Sequence, residues 1–278
     1  MFPFERLAKV TELRTRDHIL LPYMAMAPFP LAFERYMEAE IFARHGLKRP
    51  ILDIGCGEGL FARMTFDGKI DTGIDPDARE LKRAAELDGY GELIQCYGAS
   101  IPQPDGSYAT IISNSVLEHI EDLEPVLREA HRLLAPDGVL YCTVPSDKFD
   151  QFTVVNSVLT SLGLNTLSAR YRKFFNSFWR HYHYYSLAGW ETFIQSCGFE
   201  VREAYTYNPR ETCVLNDFLA PFSVFSFVIK RLTNRWILIP SLRRLLAYPV
   251  CLWAKGFLRD RSPVPDGGLV FISAIKRG

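Results

Sequence analysis

The sequence lacks several features that point to particular protein classes. It carries no net charge, with 32 basic and 32 acidic residues, so no global field would recruit nucleic acid. No Cys-x-x-Cys pair and no histidine and cysteine cluster at zinc-ligand spacing occurs, and we expect no metal site. The segment 1–16 mixes both signs of charge without a long apolar core, unlike a signal peptide. The scattered cysteines suit a reducing cytoplasm: Cys56, Cys96, Cys142, Cys197, Cys213 and Cys251.

The most informative stretch is 51–63. The apolar run 51–54 predicts a buried strand of a parallel sheet, interrupted only by Asp53. A helix-like segment, 60–65, follows a turn in which three glycines alternate: Gly55, Gly57 and Gly59. Because glycine has no Cβ and tolerates a positive φ, such a turn lets a ligand lie directly on the backbone. We therefore predict a ligand site at this turn.

The glycine spacing discriminates between ligands. A dinucleotide fold requires Gly-x-Gly-x-x-Gly, whereas this chain has Asp-x-Gly-x-Gly-x-Gly. The carboxylate of Asp53 would repel a pyrophosphate but could attract a cationic amino group. The pattern resembles motif I of the class I S-adenosylmethionine-dependent methyltransferases, in particular the small-molecule, type 11-like members.

Further marks of that family follow in the expected order. The segment 70–75 looks like the second strand, ending in Asp75, which would accept the ribose hydroxyls. The segment 109–119, with Ser-Asn-Ser-Val-Leu-Glu-His, looks like the fourth strand and its loop, and 133–140 like a helix-to-strand passage. The resemblance covers about residues 48–145 and recurs at 186–207. It implies an α/β fold with a doubly wound, mostly parallel seven-stranded sheet.

The resemblance also implies S-adenosylmethionine as the cofactor and S-adenosylhomocysteine as its product. Tyr97 stands where the family usually offers an acid to adenine, which leaves that contact to backbone groups, the Ser100 hydroxyl or stacking. The implied cofactor-binding residues are Asp53, Gly55, Cys56, Gly57, Gly59, Asp75, Pro76, Ser100, Ile101, Ser113 and Asn114.

Two histidines are candidates for a general base, which the reaction needs only if the acceptor is protonated. His119 follows the fourth strand, and His183 lies in a loop that should border the methyl group. We rank His183 slightly above His119, and the alternative for His119 is that it organises its loop.

The predicted organisation is an N-terminal helical cap, 1–47, followed by a methyltransferase domain, 48–278. Within that domain the segment 146–185 is rich in aromatic residues, and we expect it to form the roof over the acceptor. The proline-broken, Met-rich part of the cap, 22–30, either folds over the cofactor or is a packed linker.

A helical insertion, 211–262, precedes the last predicted strand. It holds two apolar runs, neither of which reads as an uninterrupted transmembrane span, and eight basic residues against three acidic ones. Four alternatives stay open: a lid over the acceptor, a homodimer contact, contact with an anionic membrane, or a hairpin inserted into the membrane. The expected location is cytoplasmic, with the third alternative placing the protein peripherally at the inner face of a membrane.

These patterns together predict methyl transfer to a small or lipid-linked acceptor through an oxygen, carbon or nitrogen nucleophile. A nucleic-acid acceptor is disfavoured, because the fourth strand ends in Ser-Asn-Ser-Val and not in the Asn-Pro-Pro-Tyr type that grips a flipped base. The alternatives are a non-catalytic S-adenosylmethionine-binding protein and a nucleotide-cofactor oxidoreductase.

Overall fold

The computed structural model describes residues 19–258 and 262–276, and a seven-stranded sheet lies at its centre. The strands are β1 (Ile51–Ile54), β2 (Ile70–Asp75), β3 (Tyr90–Gln95), β4 (Tyr108–Asn114), β5 (Leu134–Pro145), β6 (Phe199–Tyr207) and β7 (Leu269–Lys276). Their spatial order is β3-β2-β1-β4-β5-β7-β6, and β7 runs antiparallel to both of its neighbours. The predicted doubly wound, mostly parallel sheet is confirmed.

The helices cover both faces of this sheet. They are α1 (Leu20–Met26), α2 (Phe29–Phe42), α3 (Leu60–Thr65), α4 (Ala78–Leu87), α5 (Leu123–Leu133), α6 (Val154–Ser161), α7 (Asn165–Trp179), α8 (Leu187–Ser196), α9 (Arg210–Leu219), α10 (Val224–Thr233) and α11 (Pro240–Phe257). Short 3₁₀ segments lie at Leu117–His119, Asp150–Phe152 and Ala220–Ser223.

Alternate residues of the strands enter two separate cores, as the period of two requires. On one face Trp190 of α8 is fully buried, and its Nε1 donates to the Pro145 carbonyl over 2.9 Å. On the other face Phe42 of α2 meets Phe271 of β7 and Phe66. Because both faces are covered at the centre of the sheet, β1 and β7 are buried along most of their length, whereas the edge strands β3 and β6 carry exposed polar residues.

The strand order reverses between β1 and β4, which are parallel neighbours joined to crossovers on opposite sides. Ligands of open α/β sheets bind in the crevice beyond the carboxyl ends of the strands at such a point. This edge carries the glycine turn after β1, Asp75 at the end of β2, and the segment after β4.

The N-terminal helices and the insertion pack on each other, which the sequence did not indicate. Buried residues of α1 and α2 share one apolar cluster with the inner face of α11, where Ala247, Cys251 and Ala254 are buried. Leu60 and Met64 of α3 complete this cluster. The cap and the insertion therefore form one helical layer beside the glycine turn.

The helix boundaries at the N-terminus differ from the prediction. The residue pattern predicts a short helix over 1–21 and a second helix over 31–45, and the first of these lies almost wholly outside the described residues. Pro22 does not interrupt a helix, because it lies in the first turn of α1, where its missing N–H has no intrahelical partner to lose. The next helix begins at Phe29 and ends at Phe42, not at 31 and 45, and Pro28 and Pro30 stand at its start.

The central strands are longer than their apolar runs. The apolar runs predict the third strand over 93–96 and the fifth over 139–144. β3 instead begins at Tyr90, three residues earlier, because pairing with β2 extends over the exposed Gly91 and Glu92. β5 begins at Leu134, five residues early, where it pairs with Tyr108 before a register shift. Hydrogen bonding to a neighbouring strand thus extends β3 and β5 over polar residues that the hydrophobic pattern would not assign to a strand.

The first apolar run of the insertion is more continuous than predicted. Pro221 lies in the 3₁₀ segment that links α9 to α10, so the helical stretch Arg210–Thr233 is unbroken over 24 residues. By length and composition it could cross a bilayer, and 22 % of its most apolar window is buried. A single such helix is weak support for a membrane span.

Candidate functional site

The glycine turn has the left-handed backbone that its spacing predicts, but only Gly57 faces open space, since a Cβ on Gly55 would lie 2.4 Å from the Val116 side chain. Gly55, Gly57 and Gly59 have φ values of 77°, 52° and 75°, in the left-handed region. A Cβ on Gly59 would lie 3.0 Å from the Ala84 side chain, whereas a Cβ on Gly57 would meet nothing within 4 Å. Gly59 is therefore required for packing, and the space beside Gly57 is free for a ligand.

Asp75 fixes this turn from the end of β2. One carboxylate oxygen accepts the Gly57 N–H over 3.0 Å, and the other accepts the Asp77 N–H over 2.8 Å. Burial raises the pKa of the Asp75 carboxyl, and these two hydrogen bonds oppose that effect. Each oxygen keeps a further lone pair, so the carboxylate can also accept ribose hydroxyls. The open space and this acceptor fit the predicted cofactor.

Asp53 is buried and its carboxylate is hydrogen-bonded within the protein. It is 4 % exposed, and its Oδ2 accepts the Tyr90 hydroxyl over 2.6 Å. The Tyr90 ring reaches Asp53 across β2 because Gly73 has no side chain, since a Cβ there would lie 2.8 Å from the ring. Burial raises the pKa of Asp53 to about 7, against the lowering effect of the tyrosine hydrogen bond. Its attraction for a cationic amino group stays a prediction.

Other predicted cofactor residues also have partners within the protein. The Ser113 hydroxyl donates to the Ile54 carbonyl, the Ile101 N–H donates to Glu129, and the Cys56 N–H donates to the Ile74 carbonyl. Pro76 and Ser100 are exposed at the same edge of the sheet. Of these residues, only the two exposed ones offer free surface, and their contacts with the cofactor stay predictions.

A polar cluster around Glu38 links the N-terminal cap to the end of β4. Glu38 is fully buried on α2 and pairs with Arg35 one turn away. Its carboxylate also accepts from Asn114 Nδ2 over 2.9 Å, Ser115 Oγ over 3.0 Å and the Tyr207 hydroxyl over 3.2 Å. Asn114, predicted to bind the cofactor, therefore belongs to this cluster. Sequence analysis missed Glu38, although acids one turn apart at Glu34 and Glu38 in a mainly apolar helix were a usable signal.

A cavity of about 280 Å³ lies beside this cluster, and we call it the aromatic cavity. Its apolar walls come from the cap, the aromatic segment and the insertion, and include Pro28, Leu31, Phe149, Phe152, Phe175, Trp179, Phe227 and Trp236. Its titratable lining residues are Glu34, Arg35, Glu118, His119, His181, Cys213 and Asp217. A largely apolar pocket with a few convergent polar groups is typical of a small-molecule site.

The insertion joins the aromatic cavity to the glycine turn. Trp236 lines the cavity, and its Nε1 donates to the carboxylate of Glu58, which lies between Gly57 and Gly59. Lys230 pairs with Glu58 over 3.0 Å and with Glu80 at the start of α4 over 2.9 Å. The cavity therefore abuts the predicted cofactor position.

The two candidate bases are placed differently. His183 is not among the described residues that line the aromatic cavity. One of its ring nitrogens contacts the Tyr185 hydroxyl over 2.8 Å, and the other contacts the Ile120 carbonyl over 2.9 Å. His183 therefore holds a loop together outside the cavity, and its rank above His119 as a base stays a prediction. His119 does line the cavity, beside His181, which the sequence analysis did not single out.

Burial shifts the pKa values of the titratable groups that line the cavity. It lowers the pKa of His181 to about 4 and also lowers that of His119. Burial raises the pKa of Glu34 to about 7 and that of Glu118 to about 8. The carboxyls are thus stronger bases than the histidines, the reverse of their order in water.

Comparisons with known proteins agree with this geometry. A family model described as a methyltransferase domain matches residues 32–204. An uncharacterized methyltransferase of Mycobacterium sp. (strain KMS) is 34 % identical over 92 residues, which cover 33 % of this chain and 36 % of that protein. A ubiquinone biosynthesis O-methyltransferase of Caulobacter vibrioides is 30 % identical over 168 residues, covering 54 % of this chain and 60 % of that protein.

Among solved structures, a Thermotoga maritima S-adenosylmethionine-dependent methyltransferase, described as a possible histamine N-methyltransferase, has the same fold. Its TM-score is 0.55 at 14 % identity, and the match covers 88 % of this chain and 90 % of that one. The chain spans about a third of the mycobacterial relative and less than two thirds of the Caulobacter one.

Proposed function

The chain belongs to the family of class I S-adenosylmethionine-dependent methyltransferases, and from this premise we propose that it methylates a bulky, mainly apolar acceptor held in the aromatic cavity. The observation that carries the proposal is the wall that the cavity shares with the glycine turn, through Trp236 and Glu58. A molecule in this cavity would present its nucleophile next to the cofactor.

S-adenosylmethionine supplies an electrophilic methyl group on a sulfonium. The protein contributes mainly by alignment, because an in-line displacement needs the nucleophile, the methyl carbon and the sulfur on one axis. Gly57 and Asp75 would hold the cofactor, and the cavity would fix the acceptor. Two binding sites on one rigid sheet edge supply the several kcal/mol that such an alignment contributes.

The size and lining of the cavity favour an aromatic ring as the part that reacts. A volume of about 280 Å³ is small for a whole lipid, but it accommodates a substituted ring. Phe175, Trp179 and Phe227 offer ring faces to such a group. The Caulobacter relative is named for O-methylation in ubiquinone biosynthesis, which supports an acceptor with a reactive ring and an apolar tail.

We further propose that the protein meets this acceptor at an anionic membrane. The outer face of α9 and α10 carries an apolar stripe at helical spacing, exposed by between 58 % and 79 %: Phe218, Phe222, Phe225 and Leu232. The outer face of α11 carries a second stripe: Leu242, Leu245, Leu246, Leu252 and Trp253. Soluble monomers rarely expose apolar surfaces of this extent, so the stripes need a partner.

Charge favours lipid as that partner. Arg231, Arg235 and Arg244 are exposed next to the stripes and would attract anionic headgroups. Arg243 does not join them, because its guanidinium lies over the Phe29 ring at 3.9 Å. The inner face of the same helices lines the cavity through Asn216, so an acceptor could pass from the bilayer to the site.

Transfer of label tests the proposed activity. The purified protein is incubated with S-adenosylmethionine labelled in the methyl group and with a total lipid extract or a water-soluble metabolite extract. We expect label in the organic phase of the lipid reaction. Ala220→Trp, which fills the cavity from the insertion side, should remove this transfer while calorimetry shows unchanged affinity for S-adenosylhomocysteine.

The remaining outcomes separate the alternatives. Absence of S-adenosylhomocysteine binding would overturn the whole proposal. Label confined to water-soluble products would overturn the apolar acceptor, and binding without transfer to either extract would favour a non-catalytic binding protein.

Vesicle flotation tests the membrane contact. The wild type should float with anionic vesicles and stay down with neutral ones, and added salt should weaken the contact. Phe222→Ser with Phe225→Ser should reduce partitioning by at least ~30-fold, because burying each phenylalanine contributes about 1.5–3 kcal/mol. Tyr97→Ser removes an aromatic residue that is 76 % exposed but lies outside the insertion, and it should change nothing. A wild type that floats with neither vesicle and forms a dimer would leave the stripes as a contact between subunits.

A further inference from the structure

Glu118 is a buried acid whose carboxylate is only partly satisfied by the described residues. It lies in the 3₁₀ segment directly after β4, is 4 % exposed and lines the aromatic cavity. Its Oε2 has no hydrogen-bond partner among the described residues. The backbone around it is firmly held, since the Glu118 carbonyl accepts the Tyr182 N–H over 2.8 Å. An unsatisfied buried carboxyl oxygen is costly, so its position at a cavity wall indicates a ligand group.

The charges around Glu118 do not supply that partner. The nearest cation on the cap, Arg35, is already paired with Glu38 and donates to Ser115. The His119 ring is 3.8 Å from Oε1 and does not reach Oε2. The titratable groups around Glu118 come from three elements and the loop beside them. They are Glu34, Arg35 and Glu38 of α2, His119 of its own segment with the His181 ring tilted against it, and Cys142 of β5.

We propose that Glu118 is the general base of the reaction and takes the proton of an acceptor hydroxyl, which makes the acceptor a phenol or enol. This inference rests on the proposed function. In the step, the Glu118 carboxylate takes the hydroxyl proton while the hydroxyl oxygen bonds to the methyl carbon. The bond from that carbon to sulfur breaks, and its electron pair stays on sulfur as a thioether. The charges of the carboxylate and the sulfonium are both neutralised.

The other titratable groups of the cavity are poorer candidates. The lowered pKa values make His119 and His181 weak bases near neutral pH. Glu34 accepts a hydrogen bond from Asn216 over 3.3 Å, so part of its capacity is used. Glu118 combines a free oxygen with a pKa near the working range of a cell, which is where a general base acts best.

Glu118→Gln tests the role with two defined probes, 4-octylcatechol and octylamine. The wild type should methylate the catechol, with a rate that rises with pH towards a plateau set by an apparent pKa near 8. The variant should lose ~10²–10⁴-fold in kcat, with the affinity for S-adenosylhomocysteine within twofold and catechol binding within a few-fold. Glu40→Gln, which changes a buried acid of α2 that does not line the cavity, serves as the matched control and should lose less than tenfold.

Thermal unfolding gives a second readout that needs no substrate. The pKa of Glu118 is about 8 in the folded protein and 4.5 in the unfolded chain. Its contribution to the free energy of unfolding is therefore fully present below pH 4.5 and is lost as the pH rises through 8. Between pH 5.5 and 8 the wild-type midpoint should therefore fall by about 3–6 °C relative to Glu118→Gln, which cannot titrate.

Several results would overturn the inference. A variant that keeps more than a tenth of the wild-type rate excludes Glu118 as the base, and preferential methylation of octylamine excludes the oxygen acceptor. If neither probe is methylated although S-adenosylhomocysteine binds, the phenol inference is wrong while the proposed function stands. If S-adenosylhomocysteine does not bind, the proposed function itself is wrong.

Discussion

Gly57→Val is expected to abolish binding of S-adenosylmethionine and S-adenosylhomocysteine. The new side chain would occupy the open space beside the turn, where a Cβ meets no protein atom within 4 Å. A β-branched residue is also a poor occupant of a φ of 52°. We expect the dissociation constant to rise by ~100-fold or more, equivalent to about 2.7 kcal/mol, measured by calorimetry with S-adenosylhomocysteine.

A matched glycine separates obstruction from backbone strain. Gly68 also has a positive φ, of 140°, and its Cβ would also point into open space, but it lies between α3 and β2. Gly68→Val should bind S-adenosylhomocysteine normally. Asp75→Asn should show a smaller loss than Gly57→Val, because it keeps one oxygen acceptor while removing the charge. Binding within tenfold for Gly57→Val would mean that the turn is only a structural connection.

The local part of this site was predictable because its determinants are close in sequence. An apolar strand followed by alternating glycines fixes a turn within ten residues, and Asp75 ends the next apolar run. Each strand of a parallel sheet delivers its last residues to one edge, so the meeting of Gly57 and Asp75 followed from topology alone.

The wall of the acceptor cavity was not predictable in the same way. Glu38 reaches Asn114 across 76 positions of sequence, and no periodicity encodes such a contact. His183 and His181 are two residues apart in an irregular loop, and only the course of the backbone decides which ring enters the cavity. Position near a motif therefore does not tell which titratable side chain lines the cavity.

The insertion is ambiguous in sequence for a physical reason. Its helices carry apolar residues on both faces: the inner face of α11 packs on α1, and the outer face is exposed. A lid and an interfacial helix both need this composition. In the structure the inner faces contact the cavity and the cap. Vesicle flotation tests whether the outer faces contact lipid.

Arg35→Met is expected to destabilise the whole fold. Glu38 is fully buried and Arg35 is its only cationic partner among the described residues, with 14 % of the arginine side chain exposed. Removing the arginine leaves a buried carboxylate with hydrogen-bond donors but without a compensating charge. Breaking a buried pair in this way costs about 3–5 kcal/mol, which denaturant unfolding would measure as a lower midpoint.

Two companion variants identify the cause of that loss. Arg128→Met removes the exposed partner of Glu124 and should leave the denaturation midpoint unchanged. Arg35→Met combined with Glu38→Gln removes both charges and keeps acceptor and donor atoms for Asn114 and Tyr207, so it should recover much of the stability. If the double variant is as unstable as the single one, the hydrogen bonds of the Glu38 carboxylate hold the cap on the sheet, and the ion pair does not.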